Sequence, residues 1–115
     1  MAYDEKLATR IRKILTQYEA VREIRMFGGL CFMLRGNMCC GVDKTNLMVR
    51  VGPEKYKQAL TQPHARPMDI TGRPLKGFVF VDKKGHKALS SLRKWVWQSV
   101  DFAVSLPPKY KKKNK

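Results

Sequence analysis

At 115 residues, with 43% apolar side chains and a formal net charge of +15, the chain is long enough for one hydrophobic core and short for two. No apolar run approaches the roughly 20 residues of a membrane-crossing helix, and Met1-Ala2-Tyr3-Asp4-Glu5 lacks the form of a secretory leader, so a cytoplasmic protein with no membrane partner is expected. Cys31, Cys39 and Cys40 are odd in number and contain no CxxC, which argues against a disulfide framework and for reduced thiols.

In chain order, Leu7, Ile11, Ile14, Leu15 and Tyr18 keep helical spacing, predicting an amphipathic helix from Tyr3 to about Tyr18 with Asp4 and Glu5 at its positive end. Arg10, Arg12 and Lys13 read as its solvated face. Val21 to Arg25 leads into the stretch around which the rest is arranged, Met26 to Val51, with a short strand of its own as one reading of that lead-in. There Leu30, Phe32 and Leu34 alternate with Cys31 and Met33, and Leu47, Val49 and Val51 with Met48 and Arg50, as strands require. Arg35-Gly36-Asn37 and Asp43-Lys44-Thr45-Asn46 supply the reversals of a three-stranded meander. Gly28-Gly29 suggests a bulge or a close backbone approach where the sheet begins.

Gly52-Pro53-Glu54 has the form of a helix start, predicting a short helix to Leu60 that Thr61-Gln62-Pro63 ends. Ala65 to Ile70 reads as an edge strand because Pro67 cannot donate a ladder hydrogen bond. A glycine- and proline-rich loop, Thr71 to Gly77, leads to Phe78–Val81, apolar on both faces and therefore expected inside the sheet. Asp82-Lys83-Lys84-Gly85 ends that strand.

The last helix is predicted from about Lys87 to Leu106. Ser90, Ser91, Lys94, Gln98, Asp101 and Ser105 form a polar sector of roughly 100°, whereas the apolar residues sweep roughly 220°, about twice what one sheet can cover. A homodimer or another protein interface is expected to cover the excess, with Trp95, Trp97, Phe102 and Leu106 as candidate interface residues. Pro107-Pro108 stops the helix, dividing the chain into a single domain over 1–106 and a basic tail over 107–115 expected to be disordered.

No motif demands a reaction. Cys39 and Cys40, adjacent in a strand, should point to opposite faces, and His64 and His86 lie far along the chain, so the expectation is buried filler thiols, no metal and no cofactor. No catalytic residue is assigned, and an enzyme would need a concave site that gathers Arg50, His64 or a cysteine. Arg50 and Asp69, charged residues within predicted strands, make a candidate polar site or structural ion pair.

The segments MFGGLCFMLRGNMCCGV, LMVRVGPEKYKQAL, HARPMDITGRPLKGFVFV and the closing SLPPK together resemble the TfoX N-terminal domain family, over Met1 to Lys109. The resemblance implies an α+β fold of the secretion-chaperone-like type: a two-layer, antiparallel five-stranded sheet with helices, in the order α-β-β-β-α-β-β-α. It also implies a kinship with regulators of DNA-uptake competence that act on transcription, which generally carry a second, C-terminal domain beyond the point where this sequence ends, and it supplies no catalytic residue.

Two functional expectations follow. The first is a non-enzymatic regulatory or adaptor domain acting through protein contacts. The second is direct nucleic-acid binding. Only a third of the net surplus of +15 lies on the five lysines from Lys109 to Lys115, and a surplus of this sign attracts polyanions without selecting one. Candidate contacts are Arg73, Lys76, Lys83, Lys84 and Lys87, with Lys111, Lys112 and Lys113 of the tail.

Overall fold

A computed structural model of the protein describes residues 3–26, 28–69 and 72–108. The elements are α1 (Glu5–Leu15), β1 (Val21–Met26), β2 (Gly29–Leu34), β3 (Asn37–Asp43), β4 (Asn46–Arg50), α2 (Tyr56–Leu60), β5 (Ala65–Pro67), β6 (Phe78–Val81), α3 (Lys83–His86) and α4 (Leu89–Ser105). The strands form one antiparallel sheet in the order β1-β2-β3-β4-β6-β5.

The α+β expectation stands with six strands rather than five. Val21–Met26 is an edge strand in its own right, paired with β2 from Val21↔Leu34 to Met26↔Gly29. The sequence offers this strand only as one alternative because Arg22, Glu23, Ile24 and Arg25 are all exposed, so neither face carries a buried stripe. β5 is shorter than expected and ends at Pro67, where a ladder donor is missing. Met68 and Asp69 continue the chain without strand structure, and Ile70 and the tail with Lys111, Lys112 and Lys113 lie outside the described residues.

Alternation places Leu30, Phe32, Leu34, Val42, Leu47, Val49, Val79 and Val81 on one face, where they pack against Leu7 and Ile11 of α1 and Leu92, Val96 and Val100 of α4. Each such side chain removed from water contributes about 1.5–3 kcal/mol, so this layer is the main source of stability. Asp4 starts α1 by accepting the backbone N–H groups of Lys6 and Leu7 at 2.9 and 3.2 Å. Gly29 is the close approach foreseen in the sequence: a Cβ there would overlap the carbonyl of Val42.

The opposite face carries a second, smaller core of Cys31, Met38, Met48, Met68 and Phe80, with Met26, Met33, Leu75 and Phe78 packed against it. Leu75 donates its backbone N–H to the carbonyl of Met68 at 2.9 Å, which holds these two residues together over this face. All methionines among the described residues are here. Their unbranched thioethers suit an irregular lid better than branched side chains would.

One sequence expectation fails in β3. The β2–β3 register runs Phe32↔Cys40 and then Met33↔Met38, leaving Cys39 as an extra residue in a bulge. The bulge turns Cys39 and Cys40 to the same, helix-covered face, and both join the main core. Among the described residues no helix is long and apolar enough to cross a membrane.

Candidate functional site

α4 lies across β3 and β4 and meets α1 along one side, and this placement divides its broad apolar arc. Leu92, Trp95, Val96, Val100 and Ala103 turn into the core. Trp95 is only 8% exposed, which removes it from the expected interface, whereas Trp97 is 45% exposed together with Leu89 and Val104. Phe102 is occupied within the chain, stacked on Arg50 and against Gly52. Leu106 is partly buried beside Phe102. The excess apolar surface is therefore real but narrower than the sequence implied: of the four expected interface residues, Trp97 alone is strongly exposed.

Trp97 and Leu89 line a groove between α1 and α4 with a volume of about 420 Å³, closed on the α1 side by Arg10, Lys13, Ile14, Thr16 and Gln17. Arg93 completes the wall. Arg10 also donates to the carbonyl of Lys87 at 2.9 Å, tying α1 to the approach of α4. The groove thus has an indole and aliphatic lining, three cations and no carboxylate among its lining residues.

A second cleft, of about 440 Å³, lies on the other side of α4, lined by Lys55, Gln58, Gln62, His64, Lys84, Ser91, Lys94, Trp95 and Gln98 together with Ala59, Pro63 and Gly85. Its α4 wall is part of the polar sector that sequence periodicity reads as solvated, and the three-dimensional partners Lys55, His64 and Lys84 were beyond reach of any linear pattern. His64 adopts φ of 70°, its carbonyl accepts the N–H of Asp82 at 3.0 Å and its Nδ1 lies 3.3 Å from the Asp82 carboxylate. Gly85 leaves room for that ring, since a Cβ there would stand 2.8 Å from the Cβ of His64.

The other predicted residues do not converge. Arg73 and Lys76 precede β6, while Lys83, Lys84 and Lys87 follow it, so they fall at opposite ends of that strand, and only Lys84 lines the cationic cleft. Arg50 and Asp69 do not pair. Asp69 is exposed, and the guanidinium of Arg50 lies between the rings of Phe78 and Phe102. Loss of water around Arg50 lowers its pKa from the ordinary value.

The cysteines are buried in the two cores. The Ser99 hydroxyl donates to the carbonyl of Val96 at 2.7 Å, leaving its oxygen to accept the Cys39 thiol at 3.1 Å. The hydrogen bond with Cys39 and complete burial hold the Cys40 thiol well above its usual pKa, and burial pushes Cys31 up to about 11. Cys31 and Cys40 are therefore kept protonated at neutral pH, a poor state for nucleophiles or metal ligands, whereas the hydrogen bonds of Cys39 to Cys40 and Ser99 lower its pKa from the ordinary thiol value. His86 is buried and donates from Nε2 to the carbonyl of Thr45 at 2.8 Å, pinning α3 to the β3–β4 turn. Among the described residues, no three His, Cys, Asp or Glu side chains group as a metal site.

Compared with known families, residues 13–103 match the TfoX N-terminal domain. No curated protein and no solved structure matches the chain.

Proposed function

Because the chain belongs to the TfoX N-terminal domain family, we propose that it is a non-enzymatic regulatory or adaptor domain that acts through protein contacts at the outer face of α4. The observation that carries this reading is the exposure of Leu89, Trp97 and Val104 on a helix whose other apolar residues are buried or, for Phe102, partly buried within the chain. Large apolar side chains that stay together on a surface favour a partner over water, and a half-exposed indole in a groove is a common anchor of such contacts. The cations Arg10, Lys13 and Arg93 beside Trp97 select for a partner that brings carboxylates around an apolar anchor.

A two-fold contact with a second copy through the same groove would set those cations against their own counterparts, so an acidic partner suits the surface better than self-association. Nucleic acid is the weaker reading, since the cations that suggested it fall at separate ends of β6.

The test is capture from native lysate on immobilised wild-type protein and on Trp97→Glu, each with and without nuclease, with light scattering on both. The expected result is a nuclease-resistant protein that wild type retains and Trp97→Glu loses at unchanged thermal stability. An identical set on both baits, or captured material that vanishes with nuclease, overturns the reading.

A further inference from the structure

The geometry points to a second site: the cleft between α2, α3 and α4 binds a nucleoside phosphate, independently of the protein contact at Trp97. Four separate stretches of chain bring a cationic or basic side chain to its wall: Lys55 before α2, His64 in the turn before β5, Lys84 in α3 and Lys94 in α4. No carboxylate lines it. The nearest acid bound to this wall, Asp82, faces the Nδ1 of His64 at 3.3 Å and accepts the Gly85 N–H at 3.3 Å. An assembly of like charges with the one adjacent carboxylate already engaged leaves an electrostatic deficit that a phosphoryl group fills. Gln58, Gln62 and Gln98 add carboxamide donors, and the Nε2 of His64 has no hydrogen-bond partner among the described residues.

The character of the groove changes along α4. Lys55 and Gln98 are shared with an adjoining compartment that carries Val51, Pro53, Phe102 and Leu106, with Glu54 and Asp101 at its wall. Lys94 and Asp101 are two helical turns, about 10 Å, apart. One end therefore suits phosphate, and the other suits a flat, partly apolar body that offers hydrogen-bond donors to two carboxylates. A base with its exocyclic amine and a ribose with its hydroxyls has that chemistry, whereas an inorganic polyphosphate matches the first compartment alone.

Trp95 lines the cationic cleft, and the chain has only two tryptophans, so the full chain carrying Trp97→Phe reports on the cleft through one indole. The experiment titrates this protein with AMP, ADP, pyrophosphate and adenosine, following emission and heat. The expected result is a saturable response to AMP and ADP, weaker binding of pyrophosphate and of adenosine, and a loss of about tenfold in nucleotide affinity from Lys84→Ala or Lys94→Ala, the size of one charge-assisted hydrogen bond. Arg93→Ala, on the opposite groove, leaves the affinity unchanged. Pyrophosphate binding as tightly as nucleotide overturns the nucleoside assignment. Absence of saturation, or an equal loss in Arg93→Ala, overturns the site. Trp97→Glu separates this proposal from the partner contact, since it abolishes capture and leaves nucleotide binding intact.

Discussion

The guanidinium of Arg50 stands 5.2 Å from the ring centroid of Phe102, which joins the last residue of β4 to the C-terminal turn of α4. Phe78 closes the other side at 5.3 Å, and Nη1 donates to the carbonyl of Met38 at 3.4 Å. The partial desolvation that lowers the arginine pKa is offset by two ring faces, an arrangement that a flat delocalised cation tolerates and a compact ammonium does not. Arg50→Lys is expected to lose about 1 kcal/mol of stability, and Phe102→Ala about 2–3 kcal/mol because the ring is only partly buried. A double-mutant cycle in urea should return a coupling of about 0.5–1 kcal/mol; additive losses would reduce the pair to proximity.

Gly52 lies directly under the same ring. Its φ is 88°, and a Cβ would run into the Phe102 side chain. Gly72 has nearly the same φ, 86°, but opens onto empty space. Gly52→Ala should therefore cost about 2–4 kcal/mol from strain and overlap together, and Gly72→Ala only the roughly 1 kcal/mol of left-handed strain. Urea midpoints at constant m-value measure the difference, and equal costs would mean that Phe102 moves aside freely.

Where one face of an element is buried and the other is not, the sequence displayed it. The alternation of Leu30, Phe32 and Leu34, the helical stripe of α1 and the two-sided apolarity of Phe78–Val81 all recur in the structure. β1 was legible only as one reading of the lead-in to the sheet, because an exposed edge has no pattern to show. The bulge at Cys39 escaped because a register shift is decided by the pairing of two strands. The same limit explains the surfaces of α4. Periodicity supplied the width of its apolar arc, but only tertiary contact could assign Trp95 to the core and Trp97 to solvent, or set Lys94 opposite Lys55 and Lys84.

Burial of the three thiols has a chemical consequence. Cys40 is held well above its ordinary range and Cys31 at about 11, so at pH 8 their thiolate fractions in the folded state are small and their sulfurs shielded. Labelling with an aromatic disulfide should proceed at the rate of unfolding and become fast only in denaturant; rapid native labelling of any cysteine would contradict the packing. The raised pKa values also set a direction for stability. The folded state keeps protons that the unfolded chain releases, so this contribution is complete below the ordinary thiol value near 9.0 and is lost as pH rises toward about 11. Cys31→Ala should flatten part of that alkaline decline.

The tether between α1 and the edge strand makes an acid-side prediction of opposite sign. Arg12 donates from Nε and Nη2 to the two carboxylate oxygens of Glu23 at 2.5 and 2.8 Å. That hydrogen bonding lowers the pKa of Glu23 below its ordinary 4.5. The pair therefore stabilises the fold above the unfolded carboxylate value, and its contribution disappears as pH falls through the folded value. Both side chains are more than a third exposed, so solvent screening holds the effect below about 1 kcal/mol. Thermal unfolding of wild type and Glu23→Gln from neutral pH to about pH 3 should show a small deficit in the variant that closes at the acid end, and that shrinks in high salt. A deficit that persists unchanged at the acid end would assign the contribution of Glu23 to packing on the edge strand instead of to its charge.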